Sequence, residues 1–169
     1  TYPYANIFSH VVGYDSNGKS GLESEANFLL LTSHEFFLNQ MKNEFKSQKN
    51  MGDTVVSTLN ADLQTTAYQA LGDRRGAVVA IEPSTGKILV EVSKPDFDPS
   101  TIAQNWEALV NDQNDSSLLN RATNGAYPPG SVFKIVTALD YFRTRGTLED
   151  FSYLCEGGIT KEGHTIRCY

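Results

Sequence analysis

The chain has 169 residues, 40% of them hydrophobic, and a formal net charge of −6. That length suits one domain together with part of another, and the acidic balance argues against a nucleic-acid-binding surface. No apolar run approaches the length of a membrane span, and no signal peptide is present.

Taken in chain order, Thr1 to Tyr14 is aromatic-rich and carries β-branched Val11 and Val12, which predicts extended structure. Asp15 to Gly21 is a turn-rich loop with two glycines. Leu22 to Lys49 reads as helix in one or two pieces, with Phe28, Leu29, Leu31, Phe36, Phe37, Leu38, Met41 and Phe45 as its apolar stripe. That stripe is core or interface rather than a ligand box. Asn50 to Asp53 is a plausible boundary, which divides the chain into modules 1–52 and 53–169. Thr54 to Leu59 is a short β-branched run.

Asn60 is placed to cap a helix through Leu63, Ala67 and Leu71, closed by Gly72. A hairpin follows, with strand Ala77 to Glu82, turn Pro83-Ser84-Thr85-Gly86 and strand Lys87 to Ser93. The run Ala77-Val78-Val79-Ala80-Ile81 is apolar on both faces, as in a covered sheet centre. In the second strand Ile88, Val90 and Val92 alternate with Leu89, Glu91 and Ser93, so that strand reads as one-sided. Lys94 to Ser117 reads as a long polar loop with Trp106 as a packing anchor. A helix runs from Ser131 to about Arg143, and Phe151 to Tyr169 reads as turns and short strands.

The pattern Ser-x-x-Lys occurs at Ser16–Lys19, Ser84–Lys87 and Ser131–Lys134. The first two hold a glycine before the lysine and read as turns. Only the third continues into an apolar helical pattern, Ile135, Val136, Ala138, Leu139 and Phe142. Pro128 and Pro129 block helix before it, and Gly130 lets the backbone bend into it. Residues three apart share a helix face, so a hydroxyl and an amine stand side by side. A serine nucleophile needs a base, and burial disfavours a charged lysine, which frees it for that role. N–H groups at the helix start are suited to stabilising an oxyanion. The competing reading is a serine N-cap with a lysine that reaches out to water.

The stretch Leu119-Asn120-Arg121-Ala122-Thr123-Asn124-Gly125-Ala126-Tyr127-Pro128-Pro129-Gly130-Ser131-Val132-Phe133-Lys134 resembles the active-site serine region of penicillin-binding proteins. Gly76 to Val90 resembles the first hairpin of the transpeptidase domain, and Ser93-Lys94-Pro95-Asp96-Phe97-Asp98-Pro99 the loop after it. Tyr2-Pro3-Tyr4 through His10-Val11-Val12-Gly13-Tyr14, then Gly21-Leu22-Glu23, resembles the end of the non-catalytic N-terminal module of class B members. The resemblance implies an α+β fold: part of a dimerisation or pedestal module, then a mainly antiparallel sheet with helices on both faces. The serine helix would be the most buried of them.

The implied function is that of a peptidoglycan D,D-transpeptidase. Ser131 would be the acyl nucleophile and Lys134 its base, acting on a stem peptide ending in D-Ala-D-Ala and trapped by β-lactams. No cofactor or metal is implied. The later Ser-x-Asn and Lys-Thr-Gly motifs do not follow Lys134. The expectation is therefore a fragment inactive alone, with apolar surface open to self-association or to the rest of the domain. The implied location is outside the cytoplasmic membrane, with an anchor upstream of Thr1. A serine β-lactamase or β-lactam sensor shares Ser-x-x-Lys on an apolar helix, but the Asn120-Arg121-Ala122 lead-in and the upstream module argue against it. A non-catalytic scaffold is the remaining alternative.

Other candidates are weaker. His10, His34 and His164 lack zinc-ligand spacing. Asp112-Gln113-Asn114-Asp115 departs from a calcium loop at Ser117 and Thr123 and reads as a solvated loop. Asp96 and Asp98 read as turn-forming residues. Cys155 and Cys168, with 12 residues between them, are expected to form a disulfide, two buried thiols being the alternative. Such a bridge is worth about 3 kcal/mol in the chain-entropy model.

Overall fold

The computed structural model describes residues 1–32, 37–46 and 52–167. It divides into two compact units, Thr1–Ala126 and Tyr127–Tyr169. The boundary expected near Asp53 falls inside the first unit.

The first unit opens with a 3₁₀ turn, Ala5–Phe8, and helix α1, Ser9–Val12. Extended structure was expected here from Val11 and Val12. Tertiary contacts override that preference: Ser9 and His10 are buried, and the His10 ring lies edge-on to Phe97 with centroids 5.1 Å apart. Helix α2, Gly21–Glu25, follows a loop pinched at its neck. There Ser20 N donates to Tyr14 O at 3.1 Å. Gly13 holds φ at 81°, and a Cβ on it would lie 1.9 Å from Ser20 O. Only glycine satisfies both the backbone angle and that approach.

Helix α3 spans Asn27–Leu31 and α4 spans Phe37–Phe45, so the expected long helix is in three pieces among the described residues. Phe28, Leu31 and Phe45 of the apolar stripe are exposed; Phe36 lies outside the described residues. The β-branched run before Asn60 is not a strand, although Thr58 Oγ1 donates to Ile88 O at 2.7 Å.

Helix α5, Ala61–Leu71, begins as expected. The Asn60 side chain accepts from Asp62 N and Leu63 N, both at 3.0 Å. The helix ends at Gly72, whose φ is 56°. It packs on the antiparallel hairpin of β1, Gly76–Ile81, and β2, Ile88–Lys94. Val78 pairs with Val92 and Ala80 with Val90, which places these four on one inward face.

The two strands exchange their expected characters. Strand β1 alternates half-buried and exposed residues, with Val79 46% and Ile81 54% exposed. Strand β2 is buried at Val90, Val92 and Ser93, because residues after α6 cover the Ser93 side. Helix α6, Ile102–Asn111, stands where a polar loop was expected. A 3₁₀ turn, Pro99–Thr101, leads into it, capped by Asp98, which accepts from Ser100 N at 2.8 Å, and Ile102 anchors the helix at 1% exposure. Trp106 is the packing anchor it was expected to be, its ring 5.6 Å from that of Tyr14. Tyr14 in turn meets Phe97 at 5.7 Å. Burying Phe97 and Ile102 contributes about 1.5–3 kcal/mol each.

The second unit holds a 3₁₀ turn, Gly130–Val132, that runs directly into helix α7, Phe133–Arg145. Gly146, in the left-handed conformation, ends the helix. Strands β3, Gly158–Lys161, and β4, His164–Arg167, are short, as expected, and pair as an antiparallel hairpin. The whole is α+β, with antiparallel hairpins and helices.

Candidate active site

The local sequence dictates how Ser131 is presented. Pro129 sits at φ −67° and ψ −22°, and Gly130 turns to φ +55°. That reversal is a conformation L side chains rarely adopt, and it starts a single 3₁₀ turn before α7. Val132 N donates to Pro129 O at 3.2 Å and closes the turn. Ser131 therefore stands at the mouth of the helix and Lys134 one turn further in, as the spacing predicts.

Burial differs from the expectation. Ser131 and Lys134 are both exposed, and so is every residue of α7 except Tyr141. Val132, Ile135, Val136, Leu139 and Phe142 are all between 48% and 69% exposed. The apolar pattern that predicts a buried helix is present, but nothing in the second unit covers it.

One side of α7 does find neighbours. Lys134, Thr137, Ala138 and Tyr141 line an open groove of about 500 Å³ with Leu148 and Phe151. Tyr141 meets Phe151 edge-on at 5.4 Å, and its hydroxyl donates to Asp150 Oδ1 at 3.2 Å. Loss of hydration, and then the Asp150 carboxylate, push the Tyr141 phenol upward.

In the first unit, the segment that leads towards the serine is clamped to β2. Ser93 Oγ donates to Leu119 O at 3.3 Å and accepts from Arg121 N at 2.9 Å. Asn120 Nδ2 donates to Glu91 Oε1 at 2.8 Å. The Arg121 guanidinium, 5% exposed, donates to the carbonyls of Ser116, Leu119 and Asp115. The sequence singled out Asn120 and Arg121 only as part of a resemblance; their partners Glu91 and Ser93 carried no signal of their own.

The remaining candidates are structural. His10 is buried, and its Nε2 lies 3.3 Å from Pro95 O. Burial pushes its pKa below the ordinary imidazole value. Asp96 accepts from Asn6, and Asp98 is a cap, which the Ser100 hydrogen bonds keep below the usual carboxylate range. Asp112 accepts from Asn114 N and Asp115 N and closes a turn. Cys155 is exposed, and Cys168, its expected partner, lies outside the described residues.

The chain is similar to known proteins over most of its length. Residues 76–169 match the family model described as the penicillin-binding protein transpeptidase domain. The peptidoglycan D,D-transpeptidase PbpA of Mycolicibacterium smegmatis is 39% identical over 152 residues, covering 80% of this chain and 31% of that protein. The peptidoglycan D,D-transpeptidase MrdA of Acinetobacter baumannii is 31% identical over 169 residues, covering 82% of this chain and 25% of that protein. The chain thus spans between a quarter and a third of the length of these relatives. Among solved structures, the penicillin G acyl-enzyme complex of penicillin-binding protein A from M. tuberculosis superposes with a TM-score of 0.85 at 30% identity, covering 100% of this chain and 42% of that one. The transpeptidase domain of a peptidoglycan glycosyltransferase from Eggerthella lenta gives 0.81 at 32% identity, covering 99% of this chain and 36% of that one.

Proposed function

The chain belongs to the penicillin-binding protein transpeptidase family, and on that premise we propose that it carries the nucleophile half of a class B peptidoglycan D,D-transpeptidase. The observation that supports this reading most is the Pro128-Pro129-Gly130-Ser131 turn, which delivers Ser131 to the mouth of α7 with Lys134 one turn on.

In this reading Ser131 Oγ attacks the carbonyl carbon of the penultimate D-Ala of a stem peptide. Lys134 accepts the hydroxyl proton, and the N–H groups at the start of the helix face the developing oxyanion. The C–N bond to the last D-Ala breaks, and that residue leaves as the amine with a proton returned to it. An amine on a neighbouring strand then attacks the ester and regenerates Ser131. A β-lactam enters the same first step, but its leaving nitrogen stays tethered, so the ester persists. Lys134 must lose water to act as the base, and residues beyond this chain would supply that cover. The Ser-x-Asn and Lys-Thr-Gly motifs do not follow Lys134, so turnover needs more chain than these 169 residues.

The work site would be outside the cytoplasmic membrane, where peptidoglycan is. Among the described residues no helix is long and apolar enough to cross a membrane, so an anchor would lie elsewhere in the protein. The division into an N-terminal module to residue 52 and a transpeptidase part from residue 53 belongs to the same proposal. The test is intact mass of the full-length protein after penicillin G, beside Ser131→Ala. A stable adduct that maps to Ser131 and vanishes in the variant is expected. Absence of any adduct on a folded protein would overturn the reading.

A further inference from the structure

The strand before the serine segment holds two polar side chains on one face, Glu91 and Ser93, two residues apart. Both reach the same short stretch. Glu91 takes Asn120 Nδ2 at 2.8 Å, and Ser93 takes Arg121 N at 2.9 Å. Asn120 is itself fixed: its Oδ1 accepts from Ala122 N at 3.0 Å, and its carbonyl accepts from Asn124 N at 2.8 Å. The backbone under Glu91 is held in turn. Gln64, with no exposed surface, donates to Glu91 O at 2.6 Å and accepts from Glu91 N at 2.9 Å. The helix thus holds the strand at Glu91, and the strand and the turn meet at Asn120.

We propose that Glu91 is a positioning residue for acyl transfer, acting through Asn120 to fix the root of the chain segment that carries Ser131. This rests on the acyl-transfer reading above. Asn124 is the last residue joined to the clamp by hydrogen bond, and Ser131 follows seven residues later. Seven residues reach at most about 25 Å, whereas with Asn120 released the segment is held only from Arg121, by Ser93, and the ten residues from there reach about 35 Å. A shorter tether holds its far end within a smaller volume and raises the share of molecules in the reactive geometry. The carboxylate is half-buried and its bond to the Asn120 amide is charge-assisted, which makes it the stronger of the two clamps.

The experiment uses the full-length protein and penicillin G, with the acylation rate measured against antibiotic concentration to separate binding from the chemical step. For Glu91→Ala the limiting acylation rate should fall about tenfold, with half-saturation within about twofold of wild type. Glu91→Gln keeps an oxygen acceptor at the same reach and should recover most of the rate, which a loss through general instability would not do. Wild-type acylation by Glu91→Ala overturns the proposal, and so does a Glu91→Gln variant as slow as Glu91→Ala. Should Glu91→Ala fail to fold, Glu91→Asp carries the same test. Its carboxylate is one methylene short of Asn120, and an undiminished rate would refute the role. If the wild-type protein itself forms no adduct, it is the acyl-transfer reading that has failed.

Discussion

Gln64 and Glu91 pair as if they were residues on adjacent strands. The Gln64 side-chain amide accepts from Glu91 N at 2.9 Å and donates to Glu91 O at 2.6 Å, while also donating to Ile7 O at 3.0 Å. A helix side chain thus completes the hydrogen bonding of a sheet edge and ties the N-terminal 3₁₀ turn to it. A buried unpaired backbone group costs about 1–3 kcal/mol. Gln64→Leu, which strands three such groups, should lower stability by about 3 kcal/mol, seen as a shift of the urea midpoint. A change within about 0.5 kcal/mol would mean that water replaces the amide without loss.

His10 sets a pH dependence. Burial lowers its folded pKa below the unfolded value of about 6.5, so the folded state favours neutral imidazole. The groups facing it are Asp96 and Glu91, which favour the charged ring, and Arg121, which opposes it; desolvation outweighs them. Its contribution is complete above the unfolded pKa and is lost as pH falls through the folded one. Melting temperature should therefore drop from pH 7 towards pH 5, and His10→Asn should flatten that fall. Parallel pH profiles for the two proteins would rule out His10 as the source.

The bare apolar surface of α7 predicts association of the 169-residue chain with itself. Its mass in solution, measured by light scattering, should rise with concentration. Leu139→Glu, at a position 57% exposed, should shift it towards monomer without loss of helix signal. A chain that stays monomeric at high concentration would show that this surface does not self-associate.

Gly130 offers a test of the turn that presents Ser131. A Cβ there meets nothing within 4 Å, so the cost of Gly130→Ala is in the backbone angle alone. A left-handed angle costs a non-glycine residue about 1–2 kcal/mol. Penicillin acylation of the full-length variant should slow by about tenfold, the melting temperature moving little. An unchanged rate would show that the turn need not be held in this form.

Elements whose instructions are local were legible in the sequence. Asn60 and Gly72 bracket α5, Pro83 to Gly86 closes the hairpin, and Gly130 opens the serine helix. The readings that failed depend on distant neighbours. Val11 and Val12 suggest a strand, but burial of Ser9 and His10 against the loop after β2 holds them in a helix. Ile102 and Trp106 already carried an i, i+4 apolar pair for α6, and Asp98 a cap for the 3₁₀ turn before it, which the surrounding polar residues concealed. Periodicity marked α7 as apolar but does not say whether a partner surface lies within the same chain. The Ser131 and Lys134 pair, proposed above as nucleophile and base, was singled out by its spacing, whereas Glu91 and Ser93 become meaningful only once the strand is placed beside residues 119–121.

The pinched neck between Gly13 and Ser20 makes the intervening loop a separable appendage. Its ends are locked together by the close backbone approach and by the bond from Ser20 to Tyr14, while Asn17, Gly18 and Lys19 face solvent. Extra residues spliced between Asn17 and Gly18 would lengthen the appendage and leave the register of α1 and α2 unchanged. That point suits an epitope or a fluorophore, far along the sequence from Ser131, and gives a handle for following the protein.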